Sequence, residues 1–173
     1  MLFADRRGLV LTVADSRAVE IFDRAVEEVV GFQGDPVVTL SRALEIDHQF
    51  VLAHCLSAMM NIIGNASSRL DEAKLSLDKA RQSIDVLTER ELLHVVAVEA
   101  WFDFKLDRAS NLYQRILFDY PYDLMAVFAG HWLDFYCGDA QSLRGRIARV
   151  LGTWDESVPG YHWLLGMYAF GLE

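Results

Sequence analysis

Cysteine, positive charge and long apolar runs are all scarce in this chain, and each shortage removes a class of function. The two cysteines, Cys55 and Cys137, have no C-x-x-C spacing, so they make neither a disulfide framework nor a zinc site. Both fall in apolar stretches and are expected as buried, reduced thiols. Lys and Arg number 16 against 25 Asp and Glu, a net charge of −9. Phosphate contacts need Lys and Arg, which argues against nucleic acid as a partner. No apolar run approaches the ~18 residues of a membrane span, so no membrane partner is expected. Leu9-Val10-Leu11 after Arg6-Arg7 is too short for a signal-peptide core, and Asp15 interrupts it. The expectation is a cytoplasmic protein without a targeting segment. Sustained period-2 alternation bounded by hairpin turns is missing too, so no strands are expected.

What is present is helix. The 173 residues suffice for one domain with a sizeable core, and 53% of them are hydrophobic. That excess suits helices buried on two faces. Asp15 or Ser16 caps a first helix carrying Ala18, Phe22 and Ala25 and running to about Val30. Asp35-Pro36 opens a second, with a capping carboxylate before a proline at the first helical position. A third spans about His48 to Ile63 and stops at Gly64. A fourth runs from about Ser68 to Val86 with Ala73, Leu77 and Ala80 on one stripe. Thr88-Glu89-Arg90-Glu91 reads as a capping box for a fifth, ending near Phe104. Asp107 is expected to cap the sixth, which Pro121 follows. The seventh covers about Asp123 to Cys137 before Gly138. Asp139 caps the eighth, which fades at Gly152. After a loop over 153–159, a ninth begins near Gly160 and is expected still to be running at Glu173.

The helices repeat. Ala109, Tyr113, Ile116 and Pro121 recur as Leu143, Ile147, Val150 and Asp155, each 34 residues on. That period, with spacings 0, 4, 7 and 12, is that of the second helix of a tetratricopeptide repeat. The pattern predicts an all-α, tetratricopeptide-like α-solenoid over 1–173, of about four stacked antiparallel hairpins plus an unpaired last helix. Tyr161, Trp163, Leu164, Leu165, Met167, Tyr168 and Phe170 do not make that last helix a polar cap. The expectation is that the chain is part of something longer, or that this helix closes against another chain, a second copy included.

Particular residues carry a resemblance. Asp5, Gly8 and Ser16 precede Phe22-Asp23-Arg24-Ala25-Val26, and Gly34-Asp35-Pro36 is followed by Ala43-Leu44 and Ala53-His54. Thr88-Glu89-Arg90-Glu91 with His94, Ile116-Leu117 with Tyr120-Pro121, Phe135-Tyr136 with Gly138, and Leu143-Arg144 with Arg146 continue it. The most specific strings are Trp154-Asp155, Pro159-Gly160-Tyr161-His162 and Gly166-Met167-Tyr168-Ala169-Phe170-Gly171-Leu172-Glu173. Together they resemble the N-terminal half of the tetratricopeptide repeat protein 38 family, over nearly the whole chain. The resemblance implies a soluble helical-repeat protein and a longer family domain whose C-terminal half, with its histidine pairs, is not in this sequence.

With Ala109 and Leu143 in register, the fifth helix offers Glu91, His94, Val98, Trp101 and Phe102 to a concave groove. The seventh offers Met125, Phe128, Trp132, Phe135 and Tyr136. An aromatic groove of this kind marks a contact surface, either open to a protein or peptide or filled by the chain's own termini or its C-terminal half. Four histidines sit on first helices, His54, His94, His131 and His162, with His48 at a boundary. None pairs at i, i+4, and of these only His94 and His162 are expected to face inward. Glu99 and Asp134 lie among the aromatics without a reason to meet. Arg144, Arg146 and Arg149 read as the solvated face of a helix. No phosphate loop, nucleophile elbow or metal-ligand spacing appears. No cofactor, metal or catalytic residue is assigned. The reading is a protein-interaction or scaffold module, with a small-molecule or metal-dependent site completed by a C-terminal half as the alternative.

Overall fold

The computed structural model describes residues 1–64, 67–83 and 86–173. Among them are a short β-hairpin, β1 (Leu2–Ala4) and β2 (Val10–Thr12), and nine helices. The helices are α1 (Ser16–Val30), α2 (Pro36–Ile46), α3 (Val51–Ile63), α4 (Ser67–Arg81), α5 (Glu89–Phe102), α6 (Leu106–Asp119), α7 (Leu124–Tyr136), α8 (Ala140–Leu151) and α9 (Tyr161–Phe170). The class is all-α. Successive helices pack as hairpins, α1 on α2, α3 on α4, α5 on α6 and α7 on α8, with α3 also against α5 and α6 against α7.

Local chemistry sets most of the helix starts. Asp15, Asp35, Asp123 and Asp139 each accept a hydrogen bond from an amide in the first turn of the helix they cap. At Thr88 both halves of the capping box are present. Several boundaries differ from expectation. Lys105, not Asp107, precedes α6, without a side-chain cap. The third helix starts at Val51, because the amide of Phe50 turns back to the carbonyl of Asp47. The ninth stops at Phe170, with Gly171 closing onto the carbonyl of Met167. The end of the fourth helix was expected near Val86. It falls at Arg81, and residues 84–85 lie outside the described ones.

The β-hairpin was not expected from sequence. Its strands are three residues each, too short for alternation to register. They pair antiparallel as Leu2↔Thr12, Phe3↔Leu11 and Ala4↔Val10. Asp5 organises the turn by accepting from the amides of Arg7 and Leu9, and Gly8 takes a φ of +80°. Two strands alone are marginal in water, and packing supplies the rest. Leu11 and Val13 are buried. Glu91 accepts from the Thr12 amide at 2.6 Å and its hydroxyl at 2.7 Å, Asp47 accepts from the Ala14 amide at 2.6 Å, and Arg90 donates to the Val10 carbonyl at 2.8 Å. The hairpin thus clips α5 to the end of α2. It also reaches α1, where Asp23 accepts from the Arg6 amide and the Arg7 guanidinium.

The core runs between the helix layers, with Leu40, Phe50, Leu52, Leu56, Met59, Leu77, Tyr113, Ile116, Leu124 and Leu133 fully buried. Two expectations about polar residues are corrected here. Arg146 is not on a solvated face. It is buried and clamps Asp134 with two bonds of 2.8 Å. Cys55 is buried as expected, but Cys137 caps the exposed end of α7.

Candidate functional site

The first hairpin returns onto the fourth, where α1 touches α7 and α9 also touches α7. A cavity of about 360 Å³ lies at this junction, walled by Val30, Phe32, Phe128, His131, Trp132, Phe135, Trp163, Gly166, Met167 and Phe170. Sequence spacing explains two of its walls. On α7, Phe128, His131, Trp132 and Phe135 fall at 0, 3, 4 and 7, and on α9 Trp163, Gly166, Met167 and Phe170 repeat that spacing. Each set is one stripe of a helix. The third wall is the turn after α1.

The rings interlock. Phe128 and Trp132 lie with centroids 5.9 Å apart and planes 13° from parallel. Tyr136 meets Trp132 edge-on at 5.6 Å. Phe170 from α9 reaches both Phe135 at 5.7 Å and His131 at 5.9 Å. Phe32 approaches Phe128 and Trp132 from the α1 side, 6.1 Å from each. These separations lie within the range of favourable aromatic contact.

Phe32 is held oddly. Its φ is +49°, in the left-handed region, where a bulky side chain is an outlier costing about 1–3 kcal/mol. Its side chain is 75% exposed. The preceding Gly31 explains how α1 comes so near α9: a Cβ there would lie 2.8 Å from Cζ2 of Trp163.

No lining residue carries Lys, Arg, Asp or Glu. His131 is buried, and burial pushes its imidazole below the ordinary histidine value, with the Leu143 backbone opposing. Its Nδ1 and the Nε1 of Trp132 are enclosed without hydrogen-bond partners. The wall is therefore neutral and apolar. Such a surface can hold an apolar group and offers no ionised acid, base or nucleophile.

The groove residues expected from sequence divide sharply. Phe128, Trp132 and Phe135 line this cavity, with Tyr136 half-exposed beside it. His94, Val98, Trp101 and Met125 are interior residues, not groove residues. The reason is that α5 is packed by α3, α4 and α6 and crossed by the hairpin, so its expected inner face is core. Phe102 is half-buried against that core. His162 is exposed, its ring tilted 47° to that of Trp163 with centroids 4.5 Å apart. Val30, Phe32, His131, Trp163, Gly166, Met167 and Phe170 were not expected in the site. The matching 0, 3, 4, 7 stripes on α7 and α9 were the available signal.

The polar candidates are committed to structure. His94 bonds Asp123 at 2.9 Å and Arg90 bonds the same carboxylate at 2.6 Å. Burial alone would raise the Asp123 carboxyl, but His94, Arg90 and the Ala126 amide hold it well below the usual carboxylate range. His54 donates from Nε2 to the His48 carbonyl, 2.9 Å away. Glu99 pairs with Arg81 at the surface while Asp134 pairs with Arg146 inside, so the two carboxylates do not meet. Among the described residues, no group of three or more His, Cys, Asp or Glu is placed to hold a metal ion. A second cavity of about 330 Å³ adjoins Gly8, Val10, Thr88, Arg90 and Tyr120. Its Arg90 and Thr88 are already engaged by Asp123, Val10 and Glu91.

The fold and cavity define an all-α protein of packed helical hairpins with an aromatic hollow between its first and fourth hairpins. The chain matches no protein-family model, and no solved structure matches it. Among the described residues, no helix is long and apolar enough to cross a membrane.

Proposed function

We propose that this protein is a helical-repeat interaction module whose aromatic cavity takes an apolar anchor of a partner polypeptide. The observation that carries the reading is a hollow of about 360 Å³ walled by aromatic, aliphatic and neutral residues alone. Its size lies in the range of about 300–1,000 Å³ typical of binding pockets. Interfaces draw most of their energy from a few aromatic or aliphatic anchors in desolvated pockets. The 34-residue recurrence and the resemblance to the tetratricopeptide repeat protein 38 family support the same reading, since arrays of such hairpins bind through their surfaces. The two free cysteines suit a cytoplasmic setting.

The test is a selection of displayed random peptides, about a dozen residues long, on the intact chain. Selected peptides are then titrated against the chain and against Gly166→Leu, which fills the cavity. Peptides that bind the chain and lose about tenfold or more on Gly166→Leu support the reading. Selection yielding only peptides indifferent to that substitution overturns it.

A further inference from the structure

Gly166 lies in the middle of α9, where glycine weakens a helix relative to alanine. No neighbour demands it. A Cβ there would meet nothing within 4 Å, whereas at Gly130 it would lie 2.6 Å from the Arg146 Nε and at Gly31 it would strike Trp163. Gly166 therefore leaves bare backbone on the cavity wall without serving any packing contact.

Phe32 breaks the opposite rule. It occupies a left-handed position that favours glycine, yet its ring is mostly exposed and contributes little to the core. A glycine where a side chain would fit freely and a phenylalanine where a glycine would fit freely meet at one cavity. Local rules broken together at a concave site point to function rather than to stability. Bare backbone on one helix and flat ring faces on another make walls suited to a flat ring, which stacks on both.

Charge selects what carries that ring. Asp35 and Asp139 are exposed caps lying three and four residues from Phe32 and Phe135, and neither is in an ion pair among the described residues. Glu173 follows Phe170 at the far end of α9, with Arg144 packed by its backbone against Gly171 as a neighbouring cation. The chain as a whole carries −9. A basic segment is drawn to such a surface, and a second copy of the same charge is repelled.

We propose that the cavity takes an aromatic side chain borne on a basic polypeptide segment, its ring lying against the bare backbone at Gly166. This rests on the interaction-module reading above. The experiment is to sequence the displayed peptides whose binding requires an unfilled cavity, and to titrate the tightest of them at low and high salt. The expected result is a Trp, Tyr or Phe at one position with Lys or Arg around it. Changing that ring to Leu then weakens binding about tenfold or more, and high salt weakens it further. Cavity-dependent peptides with Leu, Ile or Met anchors, or with acidic flanks, overturn this inference and leave the module reading standing. No cavity-dependent peptide at all overturns both. Phe32→Gly provides a check independent of Gly166: it is expected to weaken the same peptides while the chain's circular dichroism melt is retained. Undiminished affinity would also overturn the proposal.

Discussion

Gly130 is glycine because of Arg146. A Cβ on Gly130 would lie 2.6 Å from the Arg146 Nε and 2.7 Å from its Cζ, so the guanidinium lies directly on the bare backbone of α7. From there it grips Asp134 one helical turn further on and donates to the Ser110 hydroxyl of α6 at 2.7 Å. One arginine thus ties α6, α7 and α8 together.

Breaking that knot is expected to be costly. Arg146→Met strands a buried carboxylate and should destabilise the chain by about 3–5 kcal/mol. Adding Asp134→Leu should recover most of the loss, because the stranded charge goes with it. Urea unfolding of both variants checks this. A double variant no more stable than the single one would mean that packing against Gly130, and not charge, dominates.

The three-helix knot also shows where sequence reading stopped. Helices were legible because their signals are local: Asp-Pro at 35–36, the capping box at 88–91, and glycine after α7. The burial of Arg146 was not, since Asp134 and Ser110 belong to other helices and a triplet of arginines looks like a wet face. For the same reason half of the cavity was visible. Phe128, Trp132 and Phe135 announced themselves as aromatics on one stripe. Phe32 joined them only through the contact of α1 with α7, which no local pattern encodes, and the stripe on α9 joined them through its own contact with α7.

Phe32 should separate stability from binding. Phe32→Gly relieves the left-handed backbone, so stability is expected to hold or to rise by up to about 1 kcal/mol, measured by thermal melting. Phe32→Ala keeps the strain and loses the ring, and should melt no higher than the parent. A pronounced loss of stability in Phe32→Gly would instead make the ring a structural residue.

Gly166→Leu should act in the same divided way. Replacing a mid-helix glycine that has open space around it is expected to add about 0.5–1 kcal/mol to stability. A lower melting temperature would mean that the Leu side chain pushes α9 off α7.

Stability should fall as the solution is acidified through the histidine range. Burial lowers the pKa of both His54 and His131, against opposing hydrogen bonds from the His48 and Leu143 backbones. A lowered folded pKa means that the unfolded chain takes up protons first, near about pH 6.5. The contribution is whole above that pH and is lost as pH falls through the folded values. Denaturant midpoints at about pH 7.5 and about pH 5 measure the slope. His54→Gln with His131→Gln should flatten it, and an unchanged slope would assign the effect to other groups.

The hairpin clip has a consequence in time. Thr12 is held by Glu91 across a separation of 79 residues, and Val10 by Arg90 across 80. During synthesis β1 and β2 leave the ribosome long before α5 exists to receive them. The early-made ribbon must wait, without its partners on α5, while two helical hairpins' worth of chain is made. Joining the ribbon to α5 is thus a non-local closure, the kind of contact whose loop entropy slows folding.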